Sequence, residues 1–296
     1  MTEFLQQMLN GVSLGSTYAL LALGLAMVFT IFGLVNFAHG ELITLSAYSM
    51  LGAHYLGLPW VVQVAVALVV GVAAAVAMER LGFRPVRKAD PTTMLITSFG
   101  LSIAIQAILT MAISARTRTV PQPDWFGTAF HLGEFTLPRQ QLLTVLVTAV
   151  ALVVLVVVLR RTTAGLAIRA AAEDFTAARL LGVRANWVIS SAFATSGLLA
   201  GIAAVLILAR TGGSVQPTMG LIPVLKAFVA IVIGGVGSLG GAVLGGFVLG
   251  IIEVALRAWL PSSMTGFTDG LLFALVAAVV LLRPQGILGK VERLRT

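Results

Sequence analysis

The sequence predicts an all-α polytopic membrane protein of about 8–9 transmembrane helices, some interrupted, in one transmembrane domain spanning residues 1–296. Three observations predict it. Hydrophobic residues make up 58% of the chain and charged residues 10%, against about 25% charged in an ordinary soluble domain. Eleven acids and 19 bases cannot cover a water-exposed surface of this size, so lipid must be the solvent and soluble enzyme folds are excluded. The apolar residues also fall in successive runs near the ~20 residues that cross a bilayer, and mean hydropathy is +1.03.

Taken in order, the expected spans are Gly11–Phe32, Ala38–Leu56, Trp60–Met78, Met94–Ser114, Leu142–Leu159, Trp187–Ala209, Val224–Leu256 and Phe267–Leu282. The first run lacks a basic leader region and is long enough to span, so it reads as a helix rather than a cleavable signal. Val224–Leu256 is too long for one helix, and Gly234-Gly235-Val236-Gly237-Ser238-Leu239-Gly240-Gly241 breaks it into a short piece and a full one. An earlier break lies at Phe32–Glu41, and paired interrupted helices in two halves point to a transport path.

Loop charges orient the spans. Glu79–Thr92 carries Arg80, Arg84, Arg87 and Lys88, Arg160–Asn186 carries five arginines, and the tail carries Arg283, Lys290, Arg293 and Arg295. All three read as cytoplasmic. The net charge of +8 is thereby assigned to membrane topology rather than to nucleic acid. The balanced segment Arg116–Gln141, with Trp125 and Phe126, reads as an external loop, as does Arg210–Pro223, and the N-terminus falls outside. The return of the tail to the cytoplasm requires an odd number of crossings in Val224–Leu282, and three, the first one short, satisfy it.

The chain has no cysteine, which removes disulfides and thiolate chemistry, and its three histidines lie in separate segments. No metal-ligating spacing and no phosphate-binding G-x-x-x-x-G-K-[ST] loop are present, so ATP hydrolysis by that chemistry is excluded for this chain. Gly11-Val12-Ser13-Leu14-Gly15 matches G-x-S-x-G, but it opens a membrane helix, where small residues serve close packing. A membrane hydrolase would need Ser13→Ala to abolish activity. Gly237, Gly241 and Gly245 are spaced by four, which puts them on one helix face, as are Gly246 and Gly250. They serve either as a packing seam or as the narrow lining of a path, and the second reading has Gly241→Leu abolishing transport in an assembled complex. His39 and Glu41 follow the first break. Energetics favour the aqueous interface for both, with Asn36 capping the new helix and Glu41 favouring its positive end; a path-facing role is the alternative. Lys226 is expected to snorkel to the interface, and Glu253 and Arg257 to pair across one turn. Asn36, His39, Glu41, Gly237, Gly241 and Gly245 are thus the candidate path residues.

The most informative polar segment is the loop 160–186. Asp174 is a suitable N-cap and Gly182 a suitable C′ residue for a helix of about two turns. Phe175, Ala178 and Leu181 would share its apolar face, able to enter a partner's groove or to lie on the membrane surface.

Several segments carry a family resemblance: Leu5–Gly11 with Gly15–Leu20, Asn36-Phe37-Ala38-His39-Gly40-Glu41, Arg84-Pro85-Val86-Arg87, Ala172-Glu173-Asp174 with Leu180-Leu181-Gly182, Gly234–Ser238, and Arg283–Gly289. In order along essentially the whole chain, they resemble the permease subunits of branched-chain (hydrophobic) amino acid ABC importers, the shorter of the two permeases. The resemblance implies a heterodimer with a second homologous permease, two cytoplasmic ATP-binding subunits that carry ATP and Mg, an external or periplasmic solute-binding protein, and a bacterial inner membrane location. It implies no cofactor in this chain. Glu173, Asp174, Phe175, Ala178, Leu181 and Gly182 would couple it to the ATPase. Leu166–Ala171 makes this docking surface more apolar than in relatives. Relatives assigned to urea, short amides or aromatic acids leave those solutes as alternatives. A stand-alone proton-coupled secondary transporter using Glu41 or Glu253 is the rival of a different class.

Overall fold

The computed structural model describes residues 2–33, 35–87, 89–132, 135–173, 175–282 and 286–288. The chain order is α1 (Thr2–Phe32), α2 (His39–Tyr55), α3 (Trp60–Ala77), a π-helical turn (Met78–Phe83), α4 (Arg84–Val86), α5 (Pro91–Ala112), α6 (Arg139–Arg161), α7 (Thr163–Glu173), α8 (Phe175–Leu180), α9 (Ala185–Arg210), α10 (Leu221–Gly234), α11 (Leu239–Trp259) and α12 (Thr268–Leu282). Four short strands lie in the loops: β1 (Arg118–Thr119), β2 (Ala129–Leu132), β3 (Phe135–Pro138) and β4 (Ser214–Val215).

Among the described residues, six helices are long and apolar enough to cross a membrane, and α10 and most of α12 are shorter apolar helices. The Val224–Leu256 stretch is broken where the glycines stand, with φ of +110° at Gly235 and +84° at Gly237, backbone that L side chains rarely adopt. The third span does not end at Met78. Helical structure runs on through the π turn to Val86, so Glu79 is inside the fold rather than in a loop.

α1 is the central element, buried from Ser13 to Val28 between α9, α10 and α11. At about 1.5 Å per residue it is some 46 Å long, more than a ~30 Å hydrocarbon core requires. α2 is also buried along most of its length. α3, α5 and α6 carry the exposed apolar side chains, among them Val69, Ile103 and Val153, as a lipid-facing surface demands.

Side-chain and strand contacts sort the loops into two ends. At one end Arg87 meets Asn186 at 2.8 Å and Glu79 at 3.0 Å, Ser190 donates to Glu79 at 2.8 Å, and Ile287 and Leu288 donate backbone hydrogen bonds to Ile233 and Gly234. At the other end Gln6 bonds Thr136, Phe4 stacks on Trp259, and β1 pairs antiparallel with β4. The first end holds the basic segments, which the positive-inside bias expects on the cytoplasmic side. Lys88 and the tail charges Arg283, Lys290, Glu292, Arg293 and Arg295 lie outside the described residues. The external segment is more structured than an open loop: β2 and β3 form a hairpin, and Phe126 is buried against Trp60 at the start of α3, ring centroids 5.3 Å apart.

Candidate functional site

The first break seats its polar residues in the interior. Asn36 turns the chain toward α2 by accepting from the Ala38 backbone N–H at 3.0 Å, but it does not cap the helix as expected: the N-cap position is Ala38, and no side chain caps it. His39 is 0% and Glu41 1% exposed, which corrects the interface placement of both. His39 lies between α1 and α9, with Nδ1 3.1 Å from Ser196 Oγ and its ring against Gly24. Glu41 Oε1 accepts from Ser102 at 2.8 Å and Gln106 at 2.7 Å, both on α5. His39 Nε2 and Glu41 Oε2 have no partner among the described residues. The start of α2 also abuts the start of α10: a Cβ on Gly40 would stand 2.5 Å from the Gly220 carbonyl oxygen. The α5 residues were missed from sequence. Their signal was there, because Ser98, Ser102 and Gln106 recur every four residues on one face of an apolar helix.

The late glycines make seams. Gly237 sits in the break before α11, so it does not share a helix face with Gly241 and Gly245 as its spacing suggested. Gly241 closes on Gly234, and Gly245 on Ala230 and Gly234, which joins α11 to α10. Gly246 and Gly250 meet Ala19 and Gly15 of α1, while a Cβ on Gly11 or Gly15 would press within 2.9 Å of Ile251 Cα or 2.8 Å of Phe247 Cα. The Gly11–Gly15 motif is therefore half of a glycine-on-glycine crossing between α1 and α11, in keeping with the packing reading. Ser238 caps α11 by accepting from Gly241 N–H at 3.0 Å.

Toward the end opposite the basic segments lies an ion cluster that the sequence reading gave only in part. Arg257 pairs with Glu253 at 2.6 Å across one turn, as expected. Lys226 does not snorkel. It is 3% exposed, bonded to Glu253 at 2.7 Å and Asp269 at 3.0 Å, because two other helices, α11 and α12, bring it partners. Tyr18 donates to the second Glu253 oxygen at 2.7 Å. Two cations and two carboxylates are thereby neutralised together, the arrangement that makes buried charge tolerable.

At the basic end the polar loop forms two helices, α7 and α8, where one was expected. The Asp174 cap lies outside the described residues. Gly182 does end α8, at φ +87°, with Gly182 N–H bonded to the Arg179 carbonyl and Val183 N–H to the Ala178 carbonyl. That double bond pattern is a Schellman stop. Of the expected Phe175–Ala178–Leu181 face, the Phe175 side chain lies outside what the structure describes, and Ala178 and Leu181 are placed differently. Ala178 is buried at 4% against the helix bundle, while Leu181 stands beyond the helix end at 85% exposed, next to Leu180 at 85%. Ile168 and Ala171 of α7 are buried as well, so the apolar character of Leu166–Ala171 mainly packs α7 onto the bundle; Leu166 stays exposed. Leu180 was not named as a docking residue from sequence, because it lies off the i, i+3, i+6 face that starts at Phe175.

No group of three His, Asp or Glu able to hold a metal occurs among the described residues.

Comparison with known proteins completes the picture. The family described as "Branched-chain amino acid transport system / permease component" matches residues 7–282. The permease protein LivH of the high-affinity branched-chain amino acid transport system of Escherichia coli (strain K12) is 37% identical over 98% of this chain and 96% of its own length. The corresponding BraD of Pseudomonas aeruginosa is 34% identical over 98% of this chain and 97% of its own length. The LivM permease of Escherichia coli (strain K12) is 27% identical over 92% of this chain but only 67% of its own length. With the helical membrane fold, the two interrupted spans and the family matching nearly end to end, the chain belongs to the branched-chain amino acid transport system permease family.

Proposed function

We propose that this chain is one of two homologous permeases of an ATP-binding cassette importer that carries branched-chain or other small hydrophobic amino acids into the cytoplasm across a bacterial inner membrane. The observation that carries the reading is near full-length similarity to permeases named for branched-chain amino acids, LivH and BraD. Similarity to both LivH and the longer LivM supports a permease heterodimer. ATP and Mg would be held by two cytoplasmic partner subunits, and solute would be delivered by an external binding protein. The whole chain would act as one transmembrane domain.

The α7–α8 segment would carry the coupling. It lies at the basic end, ends in a fixed Schellman stop, and presents Leu180 and Leu181 to the outside of the chain. An apolar anchor on a rigid mount suits a groove on a partner. The path would pass the start of α2, where Asn36, His39 and Glu41 sit beside Gly40 and Gly220, with Gly237, Gly241 and Gly245 shaping the second break. Helix ends and free polar atoms there would meet a zwitterion without a net charge. Urea, short amides and aromatic acids remain the alternatives within the family. The test is uptake of radiolabelled leucine in a leucine-transport-deficient host carrying this chain with the subunits encoded beside it. Isoleucine and valine are expected to compete. Competition by urea or acetamide instead would replace the substrate class.

A further inference from the structure

A crevice of about 350 Å³ opens near the external end between α1, α6, α9 and α11. That lies within the ~300–1,000 Å³ of small-molecule sites. Its lining is polar where a membrane bundle is ordinarily apolar. Ser13, Thr17 and Thr144 are buried in it. Gln141 adds a buried side-chain oxygen without a partner. Two guanidinium groups stand over this lining. Arg257 spends one face on Glu253, which Lys226 and Tyr18 already share, and Arg210 has no ion-pair partner among the described residues. Lys226, Arg257 and Arg210 against Glu253 and Asp269 leave one positive charge in excess. The G-x-S-x-G motif takes on a second meaning here: its glycines hold α1 against α11 while Ser13 faces the crevice.

We propose that this crevice is an outer subsite for the carboxylate of the transported amino acid. Arg210 supplies the forked donor that fits a carboxylate, Arg257 completes the positive field, and the hydroxyls of Ser13 and Thr17 accept or donate to the neighbouring groups. The inference rests on the amino acid reading above and adds to it a place where solute leaving the receptor is first held. A phosphate headgroup of lipid shares the oxyanion chemistry, and the experiment separates the two.

The full chain is placed in phosphatidylcholine nanodiscs and saturation-transfer NMR is recorded with L-leucine, with isocaproate, which keeps the carboxylate and lacks the amine, and with isoamylamine, which keeps only the amine. Leucine and isocaproate show transfer and isoamylamine does not. Arg210→Gln weakens both by about tenfold, the loss of one charge-assisted hydrogen bond, and Arg210→Lys restores part of it. The arginine is exposed at the end of α9, so these variants keep the fold. Equal transfer for all three probes, or an Arg210→Gln signal equal to the original, overturns the proposal. So does Arg210-dependent retention of phosphatidylglycerol in native mass spectrometry with no leucine transfer, which makes the site a lipid site. Leucine uptake by the assembled importer is measured alongside. Intact uptake with Arg210-independent binding removes the subsite alone, whereas absent uptake removes the amino acid reading while the NMR still decides the crevice.

Discussion

Lys226→Met tests whether the external ion cluster holds α10 to α11 and α12. Lys226 and Glu253 are buried, with side chains 4% and 1% exposed. Removing one partner of such a pair costs about 3–5 kcal/mol, because the other charge is left buried. Here Glu253 keeps Arg257 at 2.6 Å and the Tyr18 hydroxyl at 2.7 Å, and half-exposed Asp269 regains water, so the lower end applies. A loss of about 3 kcal/mol is two powers of ten in the unfolding equilibrium and lowers the melting midpoint by about 6 °C or more. Thermal aggregation of the detergent-solubilised, fluorescently tagged chain reads this directly. Lys226→Arg should retain most of the stability. Arg257→Met, at a half-exposed position, should cost about 1 kcal/mol or less. A Lys226→Met midpoint within about 1 °C of the original, or an Arg257→Met loss as large as that of Lys226→Met, refutes the reasoning.

Four further outcomes are expected. Gly250→Leu pushes side chain into the Gly15 backbone and should abolish folded protein, and Gly241→Leu, which meets Gly234, should do the same rather than yield an assembled but inactive complex; a monodisperse peak on size exclusion for either contradicts the seam. The segment Arg116–Gln141 is the expected contact of the solute-binding protein, and in it Trp125 is 42% exposed and stacked on anchored Phe126, so Trp125→Ala should weaken receptor-stimulated ATPase and spare the basal rate, while deleting Pro121–Phe130 would also unseat α3; unchanged stimulation in Trp125→Ala contradicts that contact. A photo-crosslinker at position 175 or 180 should reach the purified ATPase in at least one nucleotide state, and Leu180→Ser should uncouple hydrolysis from transport; no crosslink in an active transporter contradicts the coupling assignment. Asp90 caps α5, and hydrogen bonds from the Thr93 hydroxyl and then its backbone N–H hold its carboxyl below the usual range, so its stabilisation is complete above the ordinary carboxylate pKa of about 3.9 and fades as pH falls through the depressed folded value. Hydrogen exchange at Thr93–Ile96 should be faster in Asp90→Ala at neutral pH and converge with the original in acid; a difference that grows in acid has the wrong sign.

Local pattern carried most of the fold. Apolar run length placed most of the long helices to within a few residues, but it missed the polar start of α1 at Thr2 and the continuation of the third span to Val86; Gly235 and Gly237 marked the break through their backbone freedom. Four-residue spacing identified Gly11, Gly15, Gly246 and Gly250 as packing residues, although not each other as partners. What was illegible is non-local. Lys226 looks like a snorkelling lysine until Glu253, 27 residues on, and Asp269 on α12 fold around it. Glu79 looked like a loop acid because its basic neighbours mark the membrane edge, yet Arg87 and Ser190 draw it inside. His39 and Glu41 could not be placed by depth alone, since their burial depends on Ser196 of α9 and on Ser102 and Gln106 of α5. In the coupling segment the Gly182 stop was legible, but the division of Ala178 inward from Leu180 and Leu181 outward follows from how α8 rests on the core.

The most direct measurement of the central claim is labelled leucine uptake into proteoliposomes holding this chain with its partner permease, ATPases and receptor. Uptake should require internal or external ATP on the ATPase face and continue undiminished when a proton ionophore collapses the membrane potential and pH gradient. Uptake that stops with the ionophore and persists without ATP would contradict the account and make the chain a proton-coupled carrier.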